Sequence, residues 1–277
     1  MTQQCATTSV EIAIGGFGNV GRQVVQAIDR RPELGLRVAA VSAHNLAEAT
    51  RRALELNLDV AVVPANELPD YAKVVVECAT YDSFRLIVEP AIRAGAHVIC
   101  VSAGALGVNL DLLDVAEKSG GTIQIASGAL PGLDILRAAR EGSIQSVKLT
   151  SHILPRSLEH ESYVTERNIN LEKADVAPVP IFSGNAREAA LHFPRHFNVA
   201  VALSLAGIGL DSTEIEVFAN AQIPGTRHTV NVKSDVGELE MTSQNYPSVE
   251  NNRTSRIVAP SILAALRELR TPLRVGS

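Results

Sequence analysis

Apolar and polar positions change their period along this chain, and the changes mark out its parts. Val10-Glu11-Ile12-Ala13-Ile14 is short and rich in β-branched residues, whereas beyond Gly21 the apolar positions Val24, Val25 and Ile28 continue from Val20 at helical spacing. A strand running into a helix is predicted. Further strands are predicted over Leu36–Val41, Val60–Val63, Lys73–Cys78, His97–Val101 and Thr122–Ala126, with helices over Leu46–Asn57, Ser83–Gly95 and Leu110–Ser119 between them. Lys73–Cys78 is the kind of apolar run that a parallel sheet covers on both faces. The alternation predicts a doubly wound parallel sheet of about six strands, whose ligands gather at the carboxyl ends of the strands. Ala79-Thr80, Ser102-Ala103-Gly104 and Ser127-Gly128-Ala129 then line the expected crevice.

After Gly128 the pattern becomes richer in period-two runs. Val147–Ile153, Glu214–Ala219, His228–Lys233 and Glu238–Ser243 are predicted strands of a second sheet, mixed or antiparallel. Asn198–Leu210 reads as an apolar helix and Ser255–Arg270 as a closing amphipathic one. The expected class is α/β: a first domain over 1–128, a second α/β domain over 129–254, and a C-terminal helix within 255–277 that packs back on the first domain. One face of the second sheet needs cover, from helices or from another subunit, so a homodimer is expected.

The turn between the first strand and helix carries the chemistry. Gly15-Gly16-Phe17-Gly18-Asn19-Val20-Gly21 contains G-x-G-x-x-G, the pattern in which one glycine turns the chain, the next clears room for a pyrophosphate and the third lets the helix sit close to the strand. The phosphates then meet unpaired N–H groups at the helix N-terminus. Gly16, Phe17, Gly18, Asn19, Val20 and Gly21 are therefore candidate cofactor contacts, with Ala79 from the crevice. An acidic residue at the end of the second strand would select NAD over NADP, but the segment reads Ser42-Ala43-His44-Asn45. Either cofactor fits that segment, with Ser42 as a candidate contact.

Composition narrows the setting. Of 277 residues 46% are hydrophobic, yet no apolar run is long enough to span a bilayer. The N-terminal residues are polar and lack the basic start and apolar centre of a signal peptide, so a cytoplasmic location is expected. Cys5, Cys78 and Cys100 have no metal-ligand spacing and suggest no disulfide framework; Cys78 and Cys100 read as buried thiols. A net charge of −5 gives no general attraction to nucleic acid or to an anionic membrane. The expected partner is a small molecule.

The second half carries a resemblance. Ser127-Gly128-Ala129, Gly132-Leu133-Asp134, Phe193-Pro194-Arg195 with Asn198-Val199-Ala200, the lone His228, and Asn245, Pro247-Ser248, Asn251 and Thr254-Ser255 together resemble the L-aspartate dehydrogenase family, in order and over nearly the whole chain. The resemblance implies a Rossmann-type domain joined to an α/β domain that dimerises through its sheet. It implies an NAD(P)-dependent enzyme interconverting L-aspartate and iminosuccinate, which hydrolyses to oxaloacetate and ammonia, and with it a place in pyridine nucleotide biosynthesis. By the same resemblance His228 is the active-site histidine, and Ala129 and Asn198 contact the nicotinamide part of the cofactor. An imidazole suits the proton steps of amine oxidation and imine hydrolysis.

Several positions depart from the family pattern: Pro131, His152-Ile153-Leu154, and the stretch from Asn220-Ala221 to Thr226. A dicarboxylate calls for cationic partners, and Arg156, Arg195, Arg227 and Arg253 are the candidates. Two other readings stand beside the amino-acid dehydrogenase: a related reductase with a different imine or amino-acid substrate, and a non-catalytic dinucleotide sensor. Among the other histidines, His196 lies beside Asn198, while His152, His160 and His192 read as structural or solvent-facing. Asn198 also suits the cap of the helix that begins there, a use compatible with cofactor contact.

Overall fold

The computed structural model describes residues 9–193, 198–248 and 254–276. Pro194, Arg195, His196, Asn251, Arg253 and Cys5, all named above, lie outside the described residues. The first part of the chain runs β1 (Val10–Gly15), α1 (Asn19–Asp29), β2 (Leu36–Ser42), α2 (Leu46–Glu55), β3 (Ala61–Val62), α3 (Leu68–Tyr71), β4 (Val74–Glu77), α4 (Phe84–Arg93), β5 (His97–Cys100), α5 (Ala103–Gly107), α6 (Asp111–Ser119) and β6 (Thr122–Ile125). It continues through α7 (Leu133–Ala139), β7 (Ile144–Ile153), α8 (Ser162–Glu166), β8 (Val179–Asn185), α9 (Ala186–His192), α10 (Asn198–Ala206), β9 (Thr213–Ala219), β10 (Thr226–Ser234), β11 (Gly237–Asn245) and α11 (Val258–Glu268). The chain divides into two compact units, one built from residues up to Ser102 with Asn109–Ala126 and Ile262–Leu273, the other from Ala103–Val108, Ser127–Ser261 and the C-terminal residues.

In the first unit six strands form a parallel sheet in the order β3-β2-β1-β4-β5-β6. Ile12, Ala13 and Ile14 of β1 and Val75 and Val76 of β4 are fully buried, as helices on both sheet faces require. The order reverses between β1 and β4, and a crevice opens at such a switch point beyond the carboxyl ends. One rung crosses those ends: Ser42, Gly15, Glu77, Cys100 and Ile125 lie side by side in register. Cys100 is buried as expected, but Cys78, just past the end of β4, is only half-buried.

The second unit holds a mixed sheet in the order β11-β10-β7-β9-β8, with β7 and β9 parallel and the other pairs antiparallel. Period-two alternation gives it two unlike faces. Val147, Leu149, Ile215, Val217, Val230 and Val232 point inward and are buried, with α9 and α10 packed against the sheet. The outer face is a polar ladder: Lys148 Nζ pairs with Glu216 at 2.8 Å, Thr229 and Thr242 share a hydrogen bond of 3.0 Å, and Asn231 Nδ2 donates to Glu240 Oε2 at 2.8 Å. Over β8 and β9 the unit's own helices therefore supply the apolar cover. Edge strand β8 was not predicted; it carries Pro180, which an edge tolerates because its missing N–H has no ladder partner to lose. Helix α10 ends at Ala206, short of the predicted Leu210, where Gly207 and the left-handed Gly209 (φ +87°) interrupt it.

Candidate functional site

The glycine turn sits where β1 ends. Gly16 has φ +104°, and a side chain there would run into the Cys78 carbonyl and the Ala79 amide. A side chain at Gly21 would strike the Gly16 carbonyl oxygen. These two glycines are explained by the protein itself. Gly18 is not: its φ is ordinary, and a Cβ added there meets no atom within 4 Å. The open space there would admit a pyrophosphate against the backbone, and Gly18 is the N-cap of an 11-residue helix whose first turn has no side-chain cap. The residues present therefore fit the phosphates of a dinucleotide. Asn19, the first residue of that helix, accepts from Gln23 at 3.0 Å through Oδ1, while its buried Nδ2 has no partner. Phe17 turns its ring into the core at 2% exposure, so only its backbone is open to a ligand.

After β2, Ser42 is buried at 3% exposure and its carbonyl accepts from Gly16 N at 2.8 Å, bracing the turn. His44 and Asn45 are both exposed there, and Asn45 caps α2 by accepting from Glu48 N at 3.0 Å.

Glu77 was missed in the sequence, where it reads as one more residue of an apolar strand. Its carboxylate is fully buried at the carboxyl end of β4. Ala79 N and Ser102 Oγ donate to Oε1 at 2.8 and 3.0 Å, and Ser102 N and Val101 N donate to Oε2 at 3.0 and 3.3 Å. Burial raises its pKa above the ordinary carboxylate value, while these hydrogen bonds pull the other way. One carboxylate thus ties together the loops that leave β4 and β5, Ala79 included. The legible signal was a charged residue ending a strand buried on both faces.

In the second unit, β10 alternation turns His228 inward, where it is 5% exposed. It stands in register with Ser151 of β7 on one side and Ser243 of β11 on the other. Ser151 Oγ lies 2.9 Å from His228 Nδ1, which leaves Nε2 as the other ring nitrogen. Burial pushes the His228 pKa down to about 4, so the imidazole is neutral at neutral pH. Ser243 Oγ donates to the Ala129 carbonyl at 2.8 Å, and Asn245 Nδ2 donates to the same carbonyl at 3.2 Å and to Ser243 Oγ at 3.0 Å. The strand beside His228 therefore holds the Ala129 loop. That loop starts at Gly128, left-handed with φ +56°.

Asn198 resolves in an unexpected way: its Oδ1 accepts from the Gly104 backbone N–H at 2.9 Å, tying α10 to α5. One lone pair of that oxygen is thereby used within the protein, and the Nδ2 donor remains to offer a ligand. Arg227 precedes His228 and so points to the opposite face of the sheet, where its Nε donates to Gln244 at 3.2 Å; it does not share a face with His228. Arg156 is exposed in the turn after β7. His152 also lies on the outer face, stacked on Phe218 at 5.1 Å, and burial, with Arg227 adding to it, lowers its pKa. Among the described residues no group of three or more His, Cys, Asp or Glu side chains converges as a metal site would.

Comparison with known proteins agrees with both halves. A family profile described as "Aspartate dehydrogenase, C-terminal" matches residues 134–269, and one described as "Homoserine dehydrogenase, NAD binding domain" matches residues 16–126. The chain is 41% identical to L-aspartate dehydrogenase 3 of Bordetella bronchiseptica over 96% of its own length and 97% of that protein's. It is 38% identical to L-aspartate dehydrogenase of Bradyrhizobium diazoefficiens, covering 100% of this chain and 98% of the other. Among solved structures, aspartate dehydrogenase from Thermotoga maritima superposes with a TM-score of 0.72 at 21% identity, covering 96% of this chain and 99% of that one, a likeness of fold. With a nucleotide turn in one sheet, an inward histidine in the other and end-to-end identity to these relatives, the chain belongs to the L-aspartate dehydrogenase family.

Proposed function

We propose that the protein is an NAD(P)-dependent oxidoreductase that interconverts L-aspartate and iminosuccinate, the latter hydrolysing to oxaloacetate and ammonia. The observation that carries this reading is the 41% identity over 96% of the chain to a protein named L-aspartate dehydrogenase. The nicotinamide cofactor, when bound, supplies the hydride acceptor or donor. Backbone N–H groups over Phe17–Gly21 would hold its pyrophosphate, with Gly16 shaping the turn and Ser42 and Ala79 beside the strand ends. Ala129 and the Nδ2 donor of Asn198 would hold its nicotinamide end. An Nδ2 donor suits the carboxamide oxygen.

His228 is assigned the proton steps. Oxidation of an amine removes a hydride from Cα and a proton from nitrogen, and Nε2 of a neutral imidazole can take that proton. Its low pKa in the free protein makes it a weak base, but two substrate carboxylates nearby would favour the imidazolium and raise its affinity for a proton. Once that proton has passed to solvent, the same nitrogen can take another from the water that adds to the imine carbon.

Titration with NADH and with NADPH, followed by turnover of L-aspartate and of oxaloacetate plus ammonia, tests the reading. Binding of at least one cofactor and turnover in both directions are expected; cofactor binding without turnover of either substrate would leave a dinucleotide sensor. We place the enzyme in the cytoplasm; no helix among the described residues is long and apolar enough to cross a membrane. The homodimer implied by the family resemblance would use the outer face of the second sheet, whose rungs of threonine, asparagine and paired charges suit a polar, self-complementary contact.

A further inference from the structure

We propose that Ser151 is a positioning residue for the reaction: its hydroxyl holds the His228 ring by Nδ1 so that Nε2 is the nitrogen that exchanges protons with the substrate. The inference rests on the reading of His228 as the acid–base group. The inward positions of β7 are Val147, Leu149, Ser151 and Ile153, so a fully buried hydroxyl stands in a row that is otherwise apolar. An apolar side chain would suit that row, and a buried hydroxyl needs a partner. The partner is His228 Nδ1 at 2.9 Å, directly across the β7–β10 ladder.

A hydroxyl also has a property that a carbonyl or carboxylate partner lacks. It accepts from Nδ1–H when Nε2 carries the lone pair of a base or the proton of an imidazolium, and by turning its own hydrogen it donates to Nδ1 when the neutral ring is protonated on Nε2. The ring need not move between these states. Both strands are fixed in the sheet, so orientation costs the ring little further entropy when substrate arrives.

The test separates the hydroxyl from its volume. Ser151→Thr keeps the hydroxyl and Ser151→Val replaces it with a methyl of the same shape, both on a strand that favours β-branched residues. With L-aspartate as substrate, Ser151→Thr is expected to stay within about threefold of the parent in kcat, whereas Ser151→Val loses about tenfold or more with little change in KM for the cofactor. In a His228→Gln background the same Thr and Val exchanges should turn over alike, since the hydroxyl then has no imidazole to orient. The 15N spectrum of the His228 imidazole, assigned by its loss in His228→Gln, should shift in Ser151→Val and hold in Ser151→Thr. Equal kcat for the Thr and Val variants in the presence of His228 would overturn the positioning role. Undiminished turnover by His228→Gln would instead overturn the acid–base reading on which it stands, and the imidazole spectrum would then report the hydrogen bond alone.

Discussion

At the scale of single residues, the three glycines of the nucleotide turn make separable predictions. Gly16 and Gly21 are held by the fold, so alanine at either should destabilise the first unit, since the added methyl meets backbone atoms. Gly18→Ala meets nothing in the free protein. It should change stability by less than about 1 kcal/mol, the scale of an N-cap exchange, while weakening NADH binding about tenfold or more. Thermal denaturation beside a cofactor titration checks both halves; unchanged affinity in a stable Gly18→Ala would remove the phosphate assignment. Glu77→Gln should be costly in a different way. An amide turned toward Ser102 N and Val101 N sets donor against donor, a penalty of roughly 1–3 kcal/mol. Weaker cofactor binding should accompany it, since the same carboxylate anchors Ala79.

At the scale of elements, the first sheet was legible because its central strands are largely apolar and the longer helices α1, α2, α4 and α6 keep a 3.6-residue period. Edge strand β8 was hidden by Pro180 and Gly184, which break the strand pattern, and α5 by its Ala-Gly composition, which reads as crevice loop. His228 was legible only through resemblance, but its inward direction follows from the alternation of β10. Ser151 was not legible, since what marks it is a partner on another strand, and Glu77 showed in the sequence only as a charge at the end of an apolar run.

Burial of His228 within that sheet has a consequence for acid stability. Its pKa is about 4 in the folded protein against 6.5 for the free side chain, so between these values the unfolded chain binds a proton that the folded chain does not. Its contribution to stability is complete above about pH 6.5 and is lost as pH falls toward 4, a total of roughly 3 kcal/mol. Glu77 acts with the opposite sign: its raised pKa gives stability that is present at low pH and lost as pH rises through the folded value. Denaturant unfolding of the parent and of His228→Gln across pH 7 to 4 should show the flatter profile in the variant. Parallel profiles would mean that the imidazole is not buried as described.

At the scale of the whole molecule, the proposed roles fall in different units. In that reading the first would offer backbone N–H groups and glycine-cleared space to an anion, and the second would offer the His228 imidazole and the Asn198 donor. The distribution of matches follows the same division, with an NAD-binding profile over residues 16–126 and an aspartate dehydrogenase profile over 134–269. If the outer sheet face joins two copies, light scattering should give twice the chain mass, and breaking the Lys148–Glu216 pair on that face with Lys148→Glu should shift the assembly toward monomer. A dimer indifferent to that change would put the contact elsewhere.

Oxidation of L-aspartate by the parent enzyme and by His228→Gln, each with the affinity for NAD(P)H measured alongside, bears most directly on the role of the buried imidazole. Turnover should fall by about 10²-fold or more while cofactor affinity stays within about twofold. Equal turnover in the two proteins would show that the proton moves through some other group.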